Sequence, residues 1–260
     1  MNGQIWVTGG DKLAKFDKQG QFIDEFSLGD FIAFFVDERC YLTEKRTRKE
    51  QDTHKQIIIK RIKETNEIEE GPILIEGTNL GMIRLPRGGF GDSWGTPDIE
   101  YAVDRMEKKI YVTMKTEYKI YVKDQEGQTL YVIEKPYKPI RLSSKDKETV
   151  LEFFIQRQSD RKQMYLNAYP DELMAIKEMK VLPKGYLAVY WISGLKEYMI
   201  DIFDESGKYV YMIESPEKYP LDVADFYDFG FTTVETLDDF PVYVEYRIKN
   251  LPEIFNVPSD

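Results

Sequence analysis

Apolar and polar positions alternate along most of the chain with a period of two. In Tyr118-Lys119-Ile120-Tyr121-Val122-Lys123, the side chains of Tyr118, Ile120 and Val122 fall on one side and Lys119, Tyr121 and Lys123 on the other, as in a half-buried strand. The run ends at Asp124-Gln125-Glu126-Gly127, and a second apolar run begins near Leu130. The same pattern recurs: Ile5-Trp6-Val7-Thr8 leads to Lys15-Phe16-Asp17-Lys18-Gln19-Gly20-Gln21-Phe22, and Leu187-Ala188-Val189-Tyr190 leads to Ile202-Phe203-Asp204-Glu205-Ser206-Gly207-Lys208-Tyr209. In each Asp-x-x-Gly, the aspartate accepts a hydrogen bond from backbone two residues on, and the glycine supplies the positive φ of a bulged hairpin loop. A fainter copy is Ile57-Ile58-Ile59-Lys60-Arg61-Ile62, where Asn66 takes the left-handed position. The segments 110–114, 118–123 and 128–134 are therefore expected to form one meander turning at Asp124–Gly127.

A further short strand precedes each unit, at Phe31–Asp37, Ile99–Asp104 and Met174–Met179. Four antiparallel strands in roughly 40 residues make the blade of a β-propeller. The expected fold is all-β, a single propeller domain over 1–260, with blades at about 3–27 (lacking its first strand), 31–76, 98–135 and 174–214, and two closing strands within 229–248. One segment breaks the alternation. Ser143 and Asp146 have capping-box spacing, and Val150, Leu151, Phe154 and Ile155 share a helical face. This predicts an amphipathic helix near 144–157, packed on the propeller rim or offered to a partner.

The segments Tyr118–Gly127 and Tyr198-Met199-Ile200-Asp201-Ile202-Phe203-Asp204-Glu205-Ser206-Gly207-Lys208-Tyr209 resemble the six-bladed, NHL-type propellers of bacteria. The tail Val242-Tyr243-Val244-Glu245-Tyr246-Arg247-Ile248 is similar to the strand that ends many of them. The resemblance rests on structural turns, so it implies architecture and carries no site. It also implies an extracytoplasmic location and a six-bladed plan, of which this chain lacks an N-terminal portion. Either the strands within 229–248 close onto the unit 3–27 as a composite blade, giving a smaller ring, or the protein's own missing segment or a protein partner completes the ring.

Composition narrows the function. Aromatic residues make up 14% of the chain, which favours pleated, half-buried surfaces. Acidic residues outnumber basic ones by 46 to 36, for a net charge of −10, and no basic patch interrupts them, so nucleic acid is excluded as a partner. No apolar stretch reaches the roughly 20 residues of a membrane helix. The single cysteine, Cys40, lies in a strand-like run and reads as a buried thiol. The start Met1-Asn2-Gly3-Gln4-Ile5-Trp6-Val7 has neither the basic nor the apolar region of a signal peptide, which leaves both a cytoplasmic chain and a processed one open.

Few residues are candidates for chemistry. Gly91-Asp92-Ser93-Trp94-Gly95 has nucleophile-elbow spacing, but no strand leads in and no helix follows; the sole histidine, His54, sits in a polar run typical of a hairpin tip. No catalytic residue is expected. One His and one Cys exclude the usual zinc sets. A calcium ion held by carboxylates stays open, and Asp37, Glu100, Asp104 and Glu178 are the candidates because innermost strands line a propeller's channel. Asp17, Asp124 and Asp204 read as turn caps, and Tyr186, Tyr190, Trp191 and Tyr198 as packing. The expected function is a non-enzymatic binding or scaffolding propeller without a cofactor. The alternative is a lactonase-like propeller hydrolase or lyase with a channel ion.

Overall fold

The computed structural model describes residues 5–9, 12–27, 32–37, 39–49, 52–65, 67–78, 82–84, 90–92, 98–152, 162–195, 197–214, 225–227, 230–237 and 240–247. The chain runs through β1 (Ile5–Gly9), β2 (Lys12–Phe16), β3 (Phe22–Ser27), β4 (Ile32–Phe35), β5 (Cys40–Lys49), β6 (Asp52–Ile62) and β7 (Ile68–Thr78). It continues with β8 (Met82–Arg84), β9 (Phe90–Asp92), β10 (Ile99–Asp104), β11 (Lys109–Met114), β12 (Lys119–Lys123), β13 (Thr129–Glu134), α1 (Ser144–Val150) and α2 (Lys162–Ala168). Last come β14 (Ile176–Val181), β15 (Leu187–Ile192), β16 (Tyr198–Phe203), β17 (Tyr209–Glu214), β18 (Asp225–Tyr227), β19 (Gly230–Leu237) and β20 (Phe240–Arg247).

The fold is all-β and antiparallel, with few helices. Consecutive strands are neighbours: β4-β5-β6-β7, β10-β11-β12-β13 and β14-β15-β16-β17 form four-stranded sheets, β1-β2-β3 and β18-β19-β20 three-stranded ones, and β8-β9 a pair. The Asp-x-x-Gly turns explain this repetition. Asp17 accepts from the N–H groups of Gln19 and Gln21, Asp124 from those of Glu126 and Gln128, and Asp204 from those of Ser206 and Lys208. Gly20, Gly127 and Gly207 hold φ of 80°, 77° and 82°. The strand before each turn carries a register shift at the same place, at Lys15/Phe16, Val122/Lys123 and Ile202/Phe203. One turn chemistry has produced one hairpin geometry three times.

The chain divides into two compact units, Met1–Ile176 and Lys177–Asp260. In the first, the sheet β4–β7 packs against the sheet β10–β13. Alternation sends Cys40 and Leu42 of β5, Ile57 and Ile59 of β6 and Leu74 of β7 into one core with Ile99 and Val103 of β10 and Ile110 and Val112 of β11. In the second unit, Ala188, Tyr190, Ile200 and Ile202 form the core with Leu182, and β15 is buried on both faces as a central strand should be.

Several expectations need correction. The helix expected near 144–157 is α1, Ser144–Val150, with the anticipated capping box: the Asp146 N–H donates to Ser143 Oγ at 3.2 Å and Asp146 Oδ2 accepts the Ser143 N–H at 2.8 Å. Leu151 is buried, while Phe154 and Ile155 lie outside the described residues. A second helix, α2, was not expected. It is tied to α1 by Lys147, whose ammonium donates to the Tyr169 carbonyl at 2.8 Å and to Asp171 at 2.6 Å. The strand expected at 174–179 is shifted to Ile176–Val181, and β18 precedes the two closing strands. Where no strand was expected to lead into Gly91–Gly95, β9 (Phe90–Asp92) overlaps it and pairs with β8. The turn at Asn66 lies outside the described residues.

Candidate functional site

The interface between the sheets β4–β7 and β10–β13 is where ionisable groups gather, and β6 shows why. Lys55, Ile57, Ile59 and Arg61 occupy alternate positions and share one face. The two isoleucines enter the shared core, and the two cations bracket it, about 20 Å apart at the rise of a strand.

At the Lys55 end, the ammonium, with its side chain 4% exposed, lies 2.7 Å from Asp98 Oδ1 and 3.0 Å from Glu44 Oε2. Glu44 also receives Arg46 Nε. Glu100 alternates to the other face of β10 from the core residues Ile99 and Tyr101 and pairs with Lys115 Nζ at 2.7 Å. Tyr101 is packed against the core within this group of acids. Burial, and then the carboxylates of Glu44, Glu100 and Asp98, push its phenol up to about 12. It stays a neutral hydroxyl at physiological pH.

At the Arg61 end, Nη2 donates to the Gln125 carbonyl and to Glu126 Oε1, both at 2.8 Å. The amide of Gln125 donates to Asp37 Oδ2 at 2.7 Å, and Asp37 Oδ1 accepts the N–H groups of Arg39 and Cys40, each at 2.8 Å. Lys108 Nζ stands 3.7 Å from Asp37, and Arg105 Nε donates to the Phe35 carbonyl at 3.1 Å. Burial alone would raise the Asp37 carboxyl. The Arg39 N–H, the Gln125 amide, the Cys40 N–H and Lys108 outweigh it, so its pKa sits below the ordinary 3.8. Cys40 goes the other way: burial and then Asp37 push its thiol up to about 11. A thiol held there is almost wholly protonated at neutral pH and so a poor nucleophile.

The residues singled out from sequence do not converge. Asp37 belongs to the Arg61 cluster, and Glu100 pairs with Lys115 on the far face of β10. Asp104, 3% exposed, closes its own turn by accepting the N–H groups of Met106 at 2.9 Å and Glu107 at 3.1 Å. Glu178 lies on β14, in the second unit, 3.5 Å from Lys180 Nζ. Among the described residues, no three His, Cys, Asp or Glu side chains come together as a metal group. His54 is on β6 near its hairpin end, 3.0 Å from Glu76 Oε2, and Ser93 lies outside the described residues. Of the aromatics read as packing, Tyr190 is in the core of the second unit with Tyr186 against it. Sequence reasoning missed Lys55, Glu44, Asp98, Arg61 and Gln125. The available signal was a lysine and an arginine on the apolar face of Ile57 and Ile59.

Chemically, these clusters neutralise charge and fix backbone. Each anion already has a cation or N–H donors in contact, and Tyr101 and Cys40 are held protonated. The arrangement joins two sheets.

No family model matches this sequence, and no curated protein matches it. Among solved structures, the chain is similar to a member of the DUF4221 family from Bacteroides vulgatus, at 10% identity and a TM-score of 0.51, over 95% of this chain and 76% of that one. It is also similar to a putative exported protein from Bacteroides fragilis (12% identity, TM-score 0.39, 93% of this chain and 63% of that one) and to a eukaryotic initiation factor (11%, 0.38, 94% and 63%). The first likeness shows a shared fold and nothing about activity.

Proposed function

We propose that the antiparallel meanders are blades of a β-propeller on a six-bladed, NHL-type plan, and that the protein is a non-enzymatic binding or scaffolding module for a protein partner. The blade reading is supported by sheets of consecutive strands with a repeated bulged turn, and by the face-to-face packing of two of them. The functional reading is carried by the engagement of the candidate acids. Asp37, Glu100 and Asp104 are held by Gln125, by Lys115 and by their own turn, as carboxylates that build a scaffold are. The NHL-type resemblance supports an extracytoplasmic location, and no cofactor belongs to this reading. A ring completed by the protein's own further chain or by a partner subunit is part of the same proposal.

Calcium and turnover test it against the lactonase-like alternative. An ion held only by the folded chain at about a hundred times its Kd would add about 2.7 kcal/mol, a clear rise in thermal midpoint. The expected result is equal midpoints in calcium and in chelator, and no turnover of esters or lactones that responds to Ser93→Ala, His54→Ala or Glu100→Gln. Calcium stabilisation together with turnover that falls on the order of a thousandfold in any of these variants would overturn the proposal.

A further inference from the structure

The last strand of each meander ends its sheet among the described residues, and such edges are normally guarded by charge, proline or bulges. β3 carries Asp24 and Glu25 at mid-strand, and β7 carries Glu69, Glu70 and Pro72. β13 has an uncharged run, Thr129–Ile133, bounded by Gln128 and Glu134, so one end is neutral and the other acidic. β17 differs from all three. Tyr209-Val210-Tyr211-Met212-Ile213 contains no charge, glycine or proline, and exposes Tyr209 at 49%, Tyr211 at 36% and Met212 at 37%. The register shift opposite Ile202/Phe203 places the irregularity at the start of the strand, so Tyr211 to Glu214 pair in regular succession with Ile202 to Met199.

The charges that bound this strand in the sequence are opposite: Lys208 precedes it and Glu214 ends it. An antiparallel alignment of two such strands sets the basic end of one beside the acidic end of the other, and a parallel alignment sets like beside like. The uncharged edge is thus self-complementary in one direction only. We propose that β17 is a homotypic docking edge, where a second copy of this chain adds its own β17 antiparallel and the two four-stranded sheets join into one. The edge belongs to the second unit alone and does not depend on the propeller reading. One strand pair buries less than the roughly 1,000 Å² of a stable interface, so the dimer is weak and reversible.

Sedimentation velocity on the full chain tests this from roughly 10 μM to roughly 1 mM, the range where weak association is populated. The expected result is a concentration-dependent shift from monomer to dimer. Met212→Lys, which places a charge on an exposed position of the edge, should weaken dimerisation at least about tenfold with an unchanged thermal midpoint. Lys208→Glu should weaken it severalfold, and Lys208→Glu with Glu214→Lys should restore it. A monomer at every concentration overturns the proposal. So does a dimer that ignores both Met212→Lys and the charge swaps, or one that responds to Leu130→Lys on β13 instead.

Discussion

Gly127 and Gly20 hold the same backbone conformation, and replacing each with alanine separates turn strain from packing. Both have positive φ, 77° and 80°. A Cβ in this region costs about 1–2 kcal/mol, partly offset by about 0.4–1 kcal/mol from the smaller entropy of the unfolded alanine chain. At Gly20 nothing lies within 4 Å of the added carbon. Gly20→Ala should therefore cost about 1 kcal/mol. At Gly127 the added Cβ would stand 2.7 Å from Cγ and 2.9 Å from Cβ of Pro72, on β7 of the neighbouring sheet. A proline ring in a strand cannot swing aside, so one of the sheets must shift, and overpacking of this kind costs about 1–3 kcal/mol. Gly127→Ala should thus cost about 2–4 kcal/mol in urea unfolding followed by circular dichroism. Pro72→Gly removes both contacted atoms, so in a double-mutant cycle with Gly127→Ala it should show a coupling of about 1 kcal/mol or more. Equal costs at Gly20 and Gly127, or an additive cycle, would refute the claim that this turn is seated against β7.

Three further outcomes follow from the clusters. Because the folded pKa of Asp37 is depressed, its ionised form adds stability that is present above the unfolded value and lost as pH falls through the folded one. Asp37→Asn should accordingly lower the urea midpoint at neutral pH and have a shrinking effect as pH falls below the ordinary 3.8, and a constant effect across the acid range would contradict this. Lys55→Met leaves Glu44 and Asp98 without their shared cation and should cost about 3 kcal/mol, the lower end for a broken buried pair because both acids reach solvent. Adding Asp98→Asn should recover part of that loss in the same assay, and no recovery would mean that the pair is not what Lys55 supplies. Cys40, with its thiol at about 11, should react with iodoacetamide at least about a hundredfold more slowly in the native protein than in urea, as read by intact mass. Similar rates would place it outside the core.

The elements that could be read from the sequence are those whose cause is local. The Asp-x-x-Gly turns are closed by hydrogen bonds spanning two and four residues, from Asp124 to the N–H groups of Glu126 and Gln128. Their chemistry is complete within one short segment. The capping box of Ser143 and Asp146 is legible for the same reason. The clamps are not local. Lys55 meets Asp98 across 43 residues, Arg61 meets Glu126 across 65, and Gln125 meets Asp37 across 88. Asp37, Glu100, Asp104 and Glu178 were chosen for their place on first strands, and they fall in both units. That place could not say what faces them, and the facing group decides whether a carboxylate binds an ion or closes a scaffold. The position of α2 depends likewise on Lys147 reaching Tyr169 and Asp171, which periodicity within 144–157 does not encode.

The face of β6 carries the physical logic of the interface. Ile57 and Ile59, both fully buried, supply burial, which is roughly proportional to area and indifferent to direction. Two sheets joined by such a stripe alone could slide along each other with little penalty. Lys55 and Arg61 limit that freedom: a slide leaves the buried Lys55 ammonium unmatched at one end and parts the half-exposed Arg61 from the Gln125 carbonyl and Glu126 at the other. The two clamps lie at opposite ends of the stripe, so a slide that relaxed one would strain the other. Gly127 completes the constraint, since its turn must sit against Pro72 for Gln125 and Glu126 to reach Asp37 and Arg61. On this view the polar residues of the interface contribute less to net stability than to the choice of a single register. Replacing Lys55 and Asp98 together by apolar residues should therefore leave the sheets packed but less uniquely so, seen as loss of dispersion in the amide NMR spectrum without an equal loss in the urea midpoint.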